Sequence, residues 1–298
     1  MQKNTKQYEI IEQGNERILI VEGKEYRTYY SRKIIDAIID RKGIDITPLY
    51  FPKKKQRSIY MDPLFKLLNE ISTELRVLEV GCSCGHVTEY LNDQRSVKEI
   101  YTYDVDKAFV DITRIKIDEL NLHKVKSIRH LTNQTTQSLP YESNFFDLVV
   151  VQAVVEHLPY ENRYIYVDEY YRILKVNGII GFWETPNRYF PYEGHSVGLP
   201  FIETIPPQIA YIYARLFRGK MRKVSFPEFV RAGSGWRNSS YYELLPKTHM
   251  IEIQDVSYEF GYKSKSKLIR AISKVFNVPD AFFTRSLNVV FKKIKDYE

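Results

Sequence analysis

Between residues 71 and 187, short runs of branched apolar side chains alternate with longer stretches whose apolar positions recur at helical spacing. Residues 77–80, Val-Leu-Glu-Val, suit a short buried strand, because branched side chains fit a pleated core. Gly81 and Gly85 then bracket a tight turn, and residues 87–91 open a helix. A second strand over 100–103 ends at Asp104, with a helix over 107–120 behind it. A third strand falls at about 126–131. Residues 148–151 read as a buried central strand that ends at Gln152. Strands and helices in alternation predict a parallel sheet with helices on both faces.

The flanks extend this core. Residues 8–21 contain strand-like pieces, and 31–41 predict a helix with Ile34, Ile35, Ile38 and Ile39 on one face. Residues 63–71 predict the helix that leads into the first core strand. An aromatic, proline-bearing insertion occupies 188–248, and two strands, 251–258 and 287–293, flank a helix over 264–275. Four regions follow: an N-terminal extension or lid (1–70), the β/α core (71–187), a cap insertion over the acceptor side (188–248) and C-terminal strands that complete the sheet (249–298).

The glycine turn is the richest candidate site. A strand, a glycine-bracketed turn and a helix N-terminus present free N–H groups to an anionic ligand group. Glu79, two residues before the first glycine, suits a ligand carrying an ammonium or a sulfonium and suits a pyrophosphate poorly. A dinucleotide site wants G-x-G-x-x-G, and here Ser83 and His86 occupy the second and third glycine positions. Residues 81–85 also read G-x-S-x-G, the nucleophile elbow of a serine hydrolase. The chain before Ser83 is short for that fold, and nothing in it reads as an oxyanion loop. S-adenosylmethionine is the ligand that fits best. Asp104, 23 residues after Gly81, stands where a carboxylate at the end of a second strand grips a ribose diol. Asp106 reads as the N-cap of the following helix.

Five pieces in order resemble the class I S-adenosylmethionine-dependent methyltransferases, in particular the methyltransferase domain 11 group. They are the Glu79/Gly81/Gly85 turn, Asp104, the Leu139-Pro140-Tyr141 block with Phe146-Asp147, the run Val155-Glu156-His157-Leu158, and the stretch Arg172-Ile173-Leu174-Lys175-Val176-Asn177-Gly178-Ile179. The resemblance covers about residues 71–187. It implies a Rossmann-like, doubly wound sheet of seven strands, mostly parallel with the last antiparallel, and S-adenosyl-L-methionine as cofactor. It implies that Gly81, Ser83 and Gly85 cradle the methionine part, Asp104 the ribose, and Asn133 and Gln152 the adenine side and the site floor. The chain departs from the family at Ser83, where a glycine is usual. It departs again in the loop after the third strand, where Asn133 stands in place of an acid.

The acceptor is less legible. His157 lies five residues past Gln152, and His195 follows the fifth strand in Thr185-Pro186-Asn187-Arg188 and the residues after it. Each is a candidate base for a hydroxyl acceptor, and each has a packing role as its alternative. A metal at Glu193 and His195 has too few ligands to be argued. Tyr26, Tyr29 and Tyr30 are candidates for a closing lid, although 24 tyrosines make packing the default for any one of them. Attack at pyrimidine C5 and the Asn/Asp-Pro-Pro-Tyr route to a nucleobase amine both lack their residues.

Composition sets outer bounds. The chain has 298 residues, is 44% hydrophobic and carries +7, with a pI near 9.0. Its cations are spread, acids interleave through much of the chain, and no RNA-binding module is evident, so a nucleic-acid partner is not expected. An RNA-modifying methyltransferase and an inactive binding protein of the same fold remain the alternatives. The longest apolar run, 148–155, is too short to span a bilayer, and the first six residues lack a signal-peptide stretch. Two cysteines, both in the glycine turn, fit a cytoplasmic chain with reduced thiols. Residues 199–223 join an aromatic-apolar helix to Arg215, Arg218, Lys220, Arg222 and Lys223, which reads as a cap over the acceptor or as a peripheral membrane contact.

Overall fold

The computed structural model describes residues 8–51, 60–71, 74–194, 197–230 and 238–296. The alternation read from the sequence is present as strands and helices in the expected order. The N-terminal extension supplies β1 (Tyr8–Gln13), β2 (Glu16–Val21), β3 (Lys24–Thr28), α1 (Arg32–Lys42) and α2 (Asp62–Ile71). The core follows with β4 (Leu75–Val80), α3 (His86–Asp93), β5 (Val97–Asp104), α4 (Lys107–Glu119), β6 (Val125–His130), β7 (Phe146–Gln152), α5 (Arg163–Ile173) and β8 (Leu174–Pro186). Last come α6 (Pro207–Phe217), α7 (Phe226–Val230), β9 (Ile251–Asp255), α8 (Lys267–Phe276) and β10 (Ser286–Asp296).

The central sheet has seven strands in the order β6-β5-β4-β7-β8-β10-β9. β10 runs antiparallel to both its neighbours, and the core pairs β4–β7, β5–β6 and β7–β8 are parallel. This is the doubly wound, mostly parallel, Rossmann-like sheet that the sequence implied. β1, β2 and β3 form a separate antiparallel sheet. Glu22 and Gly23 both take positive φ between β2 and β3, the turn geometry that matches strand twist in a two-residue hairpin. β3 was not foreseen, because Lys-Glu-Tyr-Arg-Thr shows no apolar alternation.

Two units divide the chain, one comprising 1–75 and 81–132, the other 76–80 and 133–298. In the first, Leu19, Val21, Tyr30, Ile34, Ile35, Ile38, Phe51, Cys84 and Ile112 pack into one apolar cluster. The face of α1 that this cluster buries is the one its isoleucine spacing predicted. Ser31 caps α1 by accepting the Ile34 N–H, and Asp106 caps α4 by accepting the Ala108 N–H, as its sequence position suggested. In the second unit, β7 is buried along most of its length between β4 and β8. No helix among the described residues is long and apolar enough to cross a membrane.

Candidate active site

In the first unit the glycine turn is held in left-handed backbone at three points. Gly81, Ser83 and Gly85 have φ of 77°, 46° and 74°. Ser83 is the costly one, since only glycine adopts that region without a steric penalty, and such strain persists only where the surroundings fix it. Asp104 does the fixing. Its Oδ2 accepts the Ser83 N–H at 2.9 Å, and its Oδ1 accepts the Asp106 N–H at 2.9 Å. The Tyr103 carbonyl holds the Cys82 N–H at 3.0 Å. Gly81, Ser83, Gly85 and Asp104, four of the cofactor residues chosen from sequence, therefore lie together. Each Asp104 oxygen keeps acceptor capacity beyond its backbone bond, since an ionised carboxylate offers about four lone-pair sites. Burial pushes the Asp104 carboxyl up from the usual aspartate value, while the Asp106 and Ser83 N–H groups pull it back.

Gly85 has a second reason to be glycine. A Cβ there would lie 3.1 Å from Thr113 Oγ1 and 3.3 Å from Lys116 Cδ. The missing side chain lets α4 pack against the turn. Lys116 is fully buried, and its Nζ donates to Glu89 Oε1 and Tyr30 Oη, both at 2.6 Å. Tyr30 donates to Glu89 Oε1 at 2.5 Å and Tyr29 to Glu89 Oε2 at 2.8 Å. Two of the tyrosines expected in a lid are thus bonded into the core beneath the turn, and Tyr26 packs on the same cluster.

In the second unit the C-terminal ends of β7 and β8 carry the polar groups. Gln152 pairs in register with Trp183, and its Nε2 donates to Glu184 Oε2. Ala153 and Glu184, just past this point on each strand, have φ of 51° and 54°. Strain of this kind near the C-terminal ends of neighbouring strands is commoner at functional sites than in packed cores. Glu79 is buried within β4, its Cα opposite Val150 of β7. Asn133 is exposed, and its carbonyl accepts the Tyr166 hydroxyl at 3.0 Å, leaving its amide side chain outside that bond.

His157 lies in a short 3-10 turn and is half-exposed. Its neighbour Glu156 is fully buried, and neither carboxylate oxygen is bonded to another side chain among the described residues. The His157 Nε2 is 3.9 Å from Glu156 Oε1. Burial pushes the Glu156 carboxyl up to about 7, its own backbone N–H and then Arg163 pull it back, and Glu184 pushes it further. Arg163 itself is committed elsewhere: its Nη1 donates to Glu243 Oε2 at 2.7 Å, and Arg188 holds the other Glu243 oxygen at 2.9 Å. Sequence reasoning passed over Glu156 and Glu184. The first lies in the Glu-His motif, but its burial depends on residues far along the chain.

His195 lies outside the described residues. Glu193 accepts the Val197 and Gly198 N–H groups and so organises its own loop. No group of three or more metal-ligating side chains occurs among the described residues.

Residues 78–182 match the family model described as a methyltransferase domain. The chain is 29% identical over 109 residues to an uncharacterized protein of Haemophilus influenzae, covering 37% of this chain and 42% of that protein. It is 25% identical over 138 residues to probable polyketide synthase 23 of Dictyostelium discoideum, covering 42% of this chain and 5% of that one. It spans less than half the length of either relative. Among solved structures, it is similar to the YcgJ protein of Bacillus subtilis, at 17% identity and a TM-score of 0.46, over 80% of this chain and 99% of that one. It is also similar to a SAM dependent methyltransferase from Aquifex aeolicus, at 21% identity and a TM-score of 0.38, over 54% of this chain and 82% of that one.

Residues 78–182 thus carry the match to a methyltransferase domain, and S-adenosyl-L-methionine is the cofactor that match implies. The residues present fit it. Asp104 offers a buried carboxylate with acceptor capacity to spare, tied to the turn by the Ser83 N–H.

Proposed function

We propose that this protein transfers a methyl group from S-adenosylmethionine to a hydroxyl oxygen of a small or lipid-linked metabolite, of sugar, lipid or quinone type. The observation that carries the reading is the Asp104 carboxylate bonded to the Ser83 N–H in the strained 81–85 turn, inside the matched segment. Asp104 holds the ribose diol, Gly81, Ser83 and Gly85 cradle the methionine part, and Glu79 faces its ammonium or sulfonium. Asn133 and Gln152 serve the adenine side and the site floor. When bound, the cofactor would supply an electrophilic methyl group to the acceptor oxygen, with its sulfur as the leaving group. His157 takes the acceptor proton on a ring nitrogen, and His195 is the second candidate for that role. Residues 1–70 act as a lid, 71–187 with 249–298 as the cofactor core, and 188–248 as a cap over the acceptor. The reading places the reaction in the cytoplasm, in keeping with the free thiols of Cys82 and Cys84.

The test is calorimetric titration of S-adenosylhomocysteine into wild type and Asp104→Ala. Losing hydrogen bonds to a charged acceptor weakens binding at least about tenfold. Because the carboxylate is the binding form and burial raises its pKa, wild-type binding weakens on acidification sooner than for an ordinary aspartate. Equal affinity in both proteins would remove Asp104 from the site. No binding to folded wild type would remove the methyltransferase reading altogether.

A further inference from the structure

α6 is inverted relative to an ordinary cap helix. Its buried positions are small, Ala210 and Ala214, while Ile209, Ile212, Leu216 and Phe217 are 56–67% exposed. These four lie at i, i+3, i+7 and i+8, one stripe on the helix surface. α8 repeats the arrangement in the same unit. Ser273 is its buried residue, while Leu268, Val275 and Phe276, again at i, i+7 and i+8, are 67–80% exposed. Scattered exposed apolar residues need no explanation, but two helices with ordered stripes do.

Charge decides what covers them. Between Glu203 and Glu228 there is no acid, and five cations occur: Arg215, Arg218, Lys220, Arg222 and Lys223. Between Glu259 and Asp280 there is again no acid, and again five cations: Lys263, Lys265, Lys267, Arg270 and Lys274. The chain as a whole has 37 acids, so two acid-free windows placed on the two apolar stripes are not an average feature. Lys220, Arg222 and Lys223 are all exposed. A second copy of this chain would bring two like-charged surfaces together. A nucleic acid would answer the cations and leave the leucine and phenylalanine side chains in water.

We propose that α6 and α8 seat the protein on an anionic membrane surface, their apolar stripes entering the headgroup boundary and the flanking lysines and arginines meeting acidic lipid. This extends beyond the α6 region, which alone was suspected from sequence. It stands apart from methyl transfer, although a membrane-seated protein would meet a lipid-linked acceptor directly.

The test is co-sedimentation of the full chain with phosphatidylcholine vesicles, with and without phosphatidylglycerol. Wild type partitions onto the anionic vesicles and stays in solution with pure phosphatidylcholine. Leu216→Ser with Phe217→Ser, and separately Val275→Ser with Phe276→Ser, each lower the partition coefficient at least about tenfold. Reversing charge at Lys220→Glu, Arg222→Glu and Lys223→Glu lowers it about a hundredfold or more. All these sites are exposed, and unchanged thermal unfolding and S-adenosylhomocysteine binding verify that each variant is folded, which separates this test from that of the methyltransferase reading. The proposal is overturned if wild type ignores anionic vesicles. It is overturned if the serine variants bind as wild type does, since the attraction would then be charge alone. It is also overturned if the serine substitutions instead abolish a lipid-free dimer.

Discussion

Lys116→Met lowers the unfolding free energy by about 3–5 kcal/mol in denaturant titration, the loss that follows when one partner of a buried ion pair is removed. Lys116 is wholly enclosed in the first unit, 2.6 Å from Glu89 Oε1, 2.6 Å from Tyr30 Oη and 4.0 Å above the Tyr30 ring. The substitution leaves the Glu89 carboxylate buried without its cation. A methionine fills much of the lysine stem, so the loss is mainly electrostatic and only slightly one of packing. Lys107→Met is the control. Lys107 also pairs with a carboxylate, Asp111, but both side chains are largely in water, and its removal costs less than about 1 kcal/mol. If Lys116→Met were as stable as Lys107→Met, the cluster would not hold the first unit together.

The same substitution has a consequence for the cofactor. The Lys116 stem lies against the position that a Gly85 side chain would occupy, and Thr113 beside it donates to the Ser83 carbonyl at 3.1 Å. The strained turn therefore rests on α4. Loosening that floor weakens S-adenosylhomocysteine binding even though Lys116 itself is wholly enclosed, and Lys107→Met leaves binding unchanged.

Which parts were legible from sequence follows from the range of the forces involved. The isoleucines of α1 announced their buried face because helical period and burial coincide within eleven residues. Asp104 was legible because one strand–turn–helix–strand unit fixes its spacing from Gly81. Asp106 was legible as a cap because a cap is a contact between near neighbours. β3 was missed because its five residues are mostly polar and depend on pairing with β2 for their shape. The buried face of α6 was not legible for a different reason. Large apolar residues ordinarily turn inward, and only the tertiary contacts of Ala210 and Ala214 with Val197, Leu199, Ile202 and Phe229 reveal that the small side was chosen. Glu89 and Lys116 pair across 27 residues, and Tyr30 joins them from 59 residues before Glu89, so no window of sequence contains the cluster.

Glu156 is the clearest case of chemistry hidden from sequence, and it yields a pH-dependent stability. In the folded chain its carboxyl titrates at about 7 because burial disfavours the charge, whereas an ordinary glutamate titrates at 4.5. Between those two values the folded state holds a proton that the unfolded state has already released. Stability therefore falls as pH rises through this window, and the loss is complete once pH exceeds the folded value. The gap of about 2.5 between 4.5 and 7 corresponds to about 3 kcal/mol. Glu156→Gln removes the titration. Its denaturation midpoint stays level from mildly acidic to mildly alkaline buffer, where that of wild type declines, and above neutrality the variant is the more stable protein. Parallel pH profiles for the two proteins would mean that Glu156 is ionised without cost.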